Sequence, residues 1–205
     1  MSEFGYIPES PEQSELQVQG ILSPTDIYNL VRSDKYPVGQ LELINTYDIT
    51  SGVSNLDLTN IQENKYSAHL LTINNMQGSS PGGVEYQYGV GGSIQTGTSY
   101  KWVDKDCTSN GSFSESRNTV TYNAFGNGAN PDNGHIWFYN LGSPTRYVHS
   151  TWHGVSQISV ANIFVSSWGS NVFYQTSSVD TIRLRISSAS HTLTGKFALY
   201  GLRNS

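Results

Sequence analysis

The side chains best suited to chemistry are few and scattered. Five histidines (His69, His135, His149, His153 and His191), one cysteine (Cys107) and four tryptophans are set in a chain of 205 residues. His149 and His153 stand four apart on a predicted strand, which puts both on one face at a separation of about 13 Å. One metal ion cannot bridge that span without a bend, and no third ligand stands beside them. Asp104 and Asp106 in WVDKDC, and Asp132 in PDNG, offer carboxylates. A calcium loop needs several oxygen ligands at fixed spacing and a distal glutamate, and that pattern is missing. These acids read as solvated turn residues. Cys107 lies in a polar stretch without a histidine close in sequence, the setting of a free structural thiol rather than a nucleophile. No G-x-S-x-G nucleophile elbow is read in the chain, so a serine hydrolase has no local support. A glycosidase needs two carboxylates at a set separation in space, and nothing in the sequence favours that arrangement. The sequence therefore yields no catalytic residues, no metal ligands and no cofactor, and an enzyme is not expected.

Aromatic side chains are the stronger signal. Trp102, Trp137, Trp152 and Trp168, with 13 tyrosines, are a heavy load for a chain in which only 13% of residues are charged. Such rings stack on sugars or anchor interfaces, and they also fill alternating core positions. Most are assigned to the core. Of the neighbours Trp137 and Phe138, at least one must face inward. Trp168, in SSWGSN, reads as a turn residue and the best exposed ring. With Phe125 and Trp102 it forms the candidate set for receptor or glycan contact.

The elements that would position these residues are strands. Gln40 onward reads as β throughout, with predicted strands at 40–47, 53–58, 65–73, 84–90, 98–103, 118–122, 134–141, 145–153, 159–166, 179–187 and 193–200. Polar turns rich in glycine and asparagine separate them, and such punctuation suits a mainly β, antiparallel two-sheet sandwich or jelly-roll-like domain over 40–205. The region 123–134 reads as the longest irregular stretch. Near the C-terminus, Ile182, Leu184 and Ile186 alternate with polar residues, as do Phe197 and Leu199 further on. Period-two alternation buries one face of each run, and the two runs are expected to pair as an antiparallel hairpin. A chain of this length can bury roughly 70% of its unfolded surface and needs no staples. The lone cysteine allows no intrachain disulfide. A net charge of −5 with no basic cluster argues against nucleic acid. No run of 18 apolar residues suggests membrane insertion, and MSEFGYIPES lacks the pattern of a secretory signal.

Residues 1–39 read as an N-terminal arm. Their first half is polar, with Phe4, Tyr6, Ile7 and Pro8 forming an extended peptide whose alternate side chains suit pockets on a partner. A short helix is predicted over 23–32, SPTDIYNLVR, capped by Ser23, with Pro24 and Asp26 in the first turn. Its stripe of Ile27, Leu30 and Val31 is too short to stand alone and must lie on something. A turn-rich linker, 33–39, follows.

Several of these segments carry a resemblance. IRLRISS (182–188) with LTGKFALYGLR (193–203) resembles the closing hairpin of small β-domains in virion proteins of tailed bacteriophages, and LELINTYDIT and KYSAHLLTINNM look like their opening strands. FGYIPE-x-P-x-Q and GILSPTDIYNL are similar to N-terminal pieces of structural proteins in phages of marine cyanobacteria. The resemblance implies a virion structural protein, such as an appendage, fibre or capsid decoration, usually homo-oligomeric and often trimeric, assembled in the host cytoplasm. It implies that other virion proteins (capsid, neck or tail) hold the arm, and it transfers no catalytic residues. Host surface glycan is the other partner to consider, for a receptor-binding tip.

Overall fold

The computed structural model describes residues 23–32, 41–80, 83–120, 123–127, 132–158, 163–187 and 190–202. The chain divides into two compact units, Met1–Gln40 with Ser205, and Leu41–Asn204. In the first, α1 spans Pro24–Arg32. Ser23 caps it: its Oγ accepts from the Asp26 amide (3.1 Å), and the Asp26 carboxylate accepts from the Ser23 amide (2.9 Å). Two otherwise unpaired donors are satisfied reciprocally, and the Ser23 hydroxyl, then its amide, both donated to the Asp26 carboxylate, hold that carboxyl below its ordinary range. Phe4, Tyr6, Ile7 and Pro8, and the side chains of Ile27, Leu30 and Val31, lie outside the described residues.

The second unit contains thirteen strands among the described residues: β1 (Leu41–Val53), β2 (Leu56–Leu58), β3 (Ala68–Gly78), β4 (Gly83–Val90), β5 (Ser93–Ile94), β6 (Tyr100–Thr108), β7 (Phe113–Val120), β8 (Asn123–Asn127), β9 (Asp132–Tyr139), β10 (Val148–Ile158), β11 (Ile163–Phe173), β12 (Thr181–Ile186) and β13 (Leu193–Leu202). They form two antiparallel sheets in a sandwich-like arrangement. The larger runs β1-β13-β3-β9-β10-β11-β6-β7, and the smaller runs β2-β12-β4-β5 with β8 also on β4.

Alternation builds the core. Ile182, Leu184 and Ile186 of β12, and Leu193, Phe197 and Leu199 of β13, are buried in one cluster with Tyr86, Tyr88, Phe138 and Phe173. The expected hairpin does not form. β12 pairs with β2 and β4, whereas β13 pairs with β1 and β3. The two strands belong to opposite sheets. Alternation fixes which face of a strand is buried and leaves the partner open, so both apolar sets meet across the core instead of side by side.

Rings and hydroxyls join the sheets. The Tyr86 ring of β4 meets Phe138 of β9 edge-on at 5.7 Å. The Tyr86 hydroxyl is 2.7 Å from the Ser150 hydroxyl of β10 and accepts from the Asn171 amide of β11. The Tyr100 hydroxyl donates to the Gln95 carbonyl (3.0 Å) and accepts from the Tyr88 amide (3.0 Å). Burial pushes the Tyr100 hydroxyl up to about 12, and that of Tyr86 higher still.

Two other expectations change. The stretch 104–117, assigned to no strand, forms most of the β6–β7 hairpin, turned at Ser109–Ser112 with Gly111 at a φ of +86°. The region 123–134 holds β8 and the start of β9. Contrary to the expectation of no nucleophile elbow, the string GSSPG at 78–82 has the G-x-S-x-G spacing of one. It leads from β3 to β4, strand to strand, where an elbow requires strand to helix.

Candidate functional site

The larger sheet changes character along its width. On β13 the inward residues are Phe197 and Leu199, and the outward ones Lys196, Ala198 and Tyr200. On β6 the pattern inverts beyond Tyr100. Half-buried inward positions become Trp102, Asp104 and Asp106, and exposed outward positions become Lys101, Val103, Lys105 and Cys107. Both neighbours also expose apolar side chains outward, while β11 keeps Val165 and Phe173 buried inward. On β7, Phe113 is 59% exposed; on β11, Phe164 and Trp168 are 49% and 41% exposed, while Val103 between them is 53% exposed. Apolar side chains point to solvent here, as Leu41 and Leu43 also do on β1 at the other edge of the sheet.

Register places these side chains in rows. Trp168 pairs with Lys105, which pairs with Glu115; Ser170 pairs with Val103, which pairs with Arg117. Phe113 comes from the adjoining row, opposite Cys107. A cleft of about 420 Å³ lies over these strands, bordered by Val103, Lys105, Glu115, Arg117, Trp168 and Ser170. The volume falls in the range of small-ligand clefts, roughly 300–1,000 Å³. The Trp168 and Phe113 rings stand 6.4 Å apart and are tilted by 57°. The Lys105 ammonium sits 5.3 Å over the Phe113 ring and 3.6 Å from the Glu115 carboxylate. Arg117 makes no ion pair among the described residues and is exposed.

No protein-family model, no curated protein and no solved structure matches this chain.

Local packing explains why Trp168 stands where it does. It lies in the middle of β11, between His153 of β10 and Lys105 of β6, and not in a turn. The glycine beside it suggested a turn, but Gly169 has a packing role. A Cβ there would come within 2.7 Å of the Trp152 indole and 2.6 Å of the Val103 carbonyl. Trp152 fills the inner face at that point, so its neighbour must be glycine, and the strand continues.

The remaining candidates separate. Trp102 is on the inner face of β6, half-buried, with its indole nitrogen buried and unpaired, so it does not share the cleft with Trp168. Phe125 lies on β8, which pairs with β4 in the smaller sheet; its side chain is outside the described set. Phe138 is buried and Trp137 lies on the outer face, as their adjacency required. His149 and His153 do share a face, but the neighbour that matters to His153 is His135, directly opposite on β9, with ring centroids 6.1 Å apart. His153 Nε2 is also 3.1 Å from the Ser166 hydroxyl. Partial burial, and then the charge of His153, hold His135 below the usual imidazole value. Among the described residues no three His, Cys, Asp or Glu side chains are grouped to hold a metal.

Asp104 and Asp106 are not turn acids. They are inward residues of β6, and burial, with Asp106 adding to it, raises the Asp104 carboxyl above its ordinary value. Phe113, Lys105, Val103 and Arg117 were missed as site residues. Their signal was present as two alternating runs, KWVDKDC and FSESR, around the turn-forming TSNGS.

Proposed function

We propose that this chain is a virion structural protein of a tailed bacteriophage, in which residues 1–39 dock the subunit to the particle and residues 40–205 form an outward-facing module of a homotrimer. The module is a head decoration, a neck component or a tail appendage, assembled in the host cytoplasm. The resemblance of the chain's two ends to such proteins supports the reading. The observation that carries it is the inverted wing, β11-β6-β7, whose exposed apolar rings suit a contact surface. No chemistry is assigned to the protein.

The test uses the full chain as bait against proteins of the virion. Wild type should retain a capsid, neck or tail protein, and a variant with Phe4, Tyr6 and Ile7 changed to alanine should not, while melting at an unchanged temperature. Equal capture by both, or capture of no virion protein, contradicts the docking arm.

A second reading has its own support. The cleft beside Trp168 fits a receptor-binding tip that recognises host surface glycan, because a flat exposed indole flanked by hydrogen-bonding side chains suits a sugar's C–H face and hydroxyls. Glycan binding lost in Trp168→Ala supports it, and binding unchanged in that variant removes it.

A further inference from the structure

We infer that the cleft over β11, β6 and β7 binds a carboxylated saccharide, with a sugar ring on the Trp168 indole and the sugar's carboxylate on the Arg117 guanidinium. This rests on the glycan-tip reading and adds the chemical class of the ligand and its orientation.

Charge is the first argument. The chain as a whole carries −5. The outward face of β6 and β7 runs against that balance, with the cations Lys101, Lys105 and Arg117 against the single carboxylate of Glu115. Of the acids of these strands, Asp106 alternates to the opposite face, and Asp104, also an inward position of β6, reaches the cleft only at its lining. A net-acidic protein thus presents a locally cationic sheet face at its exposed rings, which favours an anionic ligand.

The second argument is which cation is available. Lys105 is engaged twice, by Glu115 and by the Phe113 ring. Lys101 lies 4.5 Å over the Tyr174 ring, away from the cleft. Arg117 borders the cleft and makes no ion pair among the described residues. A guanidinium fork matches the two oxygens of a carboxylate, and hydrogen bonds between charged partners are stronger than neutral ones.

The third argument is dimension. Trp168 on β11 and Arg117 on β7 are separated by β6 alone. Two strand spacings of about 10 Å, with the two-residue offset between their rows of about 7 Å, put them about 12 Å apart, a span a disaccharide can cover. Ser170, at the cleft border, offers a hydroxyl that can donate to or accept from a sugar hydroxyl between the two ends. Phe113 and Lys105 close one side, so the sugar enters as a chain lying across the strands.

The test is ligand-observed NMR on the full-length protein with three probes: oligogalacturonate, oligoglucuronate and a sialylated trisaccharide. Each is measured beside its methyl ester, which keeps the ring and removes the charge. Sugars are raised to about 10 mM, enough to detect millimolar affinity. At least one acid should bind about tenfold more tightly than its ester, a preference that weakens as salt is added. Arg117→Gln should bring acid and ester to parity, and Trp168→Ala should weaken both. Both residues are exposed, so both variants should melt as wild type does. Esters binding as well as acids would overturn the carboxylate inference while leaving the glycan reading intact. No binding of either form would overturn both. A preference that survives in Arg117→Gln would remove Arg117 from the assignment, and an oligothymidylate binding more tightly than every sugar would overturn the saccharide itself.

Discussion

Two regions of the same eight-stranded sheet obey opposite rules. Over β13, β3 and β9, inward residues such as Phe197, Leu71 and Phe138 are apolar and buried. Over β6 and β7 the inward residues include Asp104 and Asp106, and the exposed outward ones Val103 and Phe113. Backbone hydrogen bonding is continuous across both regions, so pairing alone does not dictate polarity. What differs is the task. One face is covered by rings of the second sheet, whereas the other leaves rings in water, which folding alone does not favour. On the reading proposed above, this apolar surface serves a contact outside the core.

The sharpest way to break this comparison is to truncate one ring in each region. Phe138→Ala should cost about 3–5 kcal/mol, because it empties a site packed against Tyr86 and Tyr88. Phe113→Ala should stay within about 0.5 kcal/mol, since its ring is mostly solvated. Chemical denaturation measures both, and comparable losses would place Phe113 in a core.

The strand under the cleft gives a smaller effect. Gly169→Ala should destabilise by about 1–3 kcal/mol, because its Cβ meets the Trp152 ring and the Val103 carbonyl. It should also displace Trp168 and weaken ligand binding. A neutral outcome in thermal melts would mean that SSWGSN is a turn after all.

A third effect separates the regions by pH. The Tyr100 hydroxyl is raised to about 12 in the folded protein by burial, against about 10 in an unfolded chain. The neutral form is favoured by folding, so its contribution is complete below about pH 10 and is lost as pH climbs toward 12, on the order of 3 kcal/mol. Tyr86, raised further for the same reason, adds to the loss. Denaturant midpoints measured from pH 9 to pH 12 should fall steadily, and Tyr100→Phe should flatten part of that slope. A midpoint constant over this range would contradict the buried hydroxyls.

The smallest effect concerns the ion pair of the wing. Glu115→Gln should change stability by less than about 1 kcal/mol, as expected for an exposed pair. It should nevertheless tighten binding of an anionic ligand by freeing Lys105. Isothermal titration against the tightest carboxylated sugar reads this directly, and weaker binding would mean that Glu115 itself holds the ligand.

Much of the fold was legible because period-two alternation is loud where a covered face is apolar. Ile182, Leu184 and Ile186 announced β12, and Phe197 and Leu199 announced β13. Their partners were not legible, since alternation is silent on pairing and the chain crosses between sheets at 187–192. The wing was the quietest region for the same physical reason that it is of interest. Of KWVDKDC only 101–103 registered, as the end of the predicted strand 98–103, because the inner positions turn acidic at Asp104 and Asp106, and SSWGSN resembled a turn because its glycine is demanded by Trp152 on another strand. Trp168 was singled out as an exposed ring on a turn, and it is exposed, but from the middle of a strand. Arg117, Lys105 and Phe113 became visible only when β6 and β7 paired and brought 105 opposite 115 and 107 opposite 113.

The central claim is that the outward face of β11-β6-β7 is the surface that meets a partner. Hydroxyl-radical footprinting of the full chain, with and without purified cyanobacterial envelope polysaccharide, tests it most directly. Protection should fall on Trp168, Phe113 and Phe164, with Tyr28 and Leu43, also exposed, unchanged. Protection confined to those two residues, with Trp168 as reactive as before, would contradict the account.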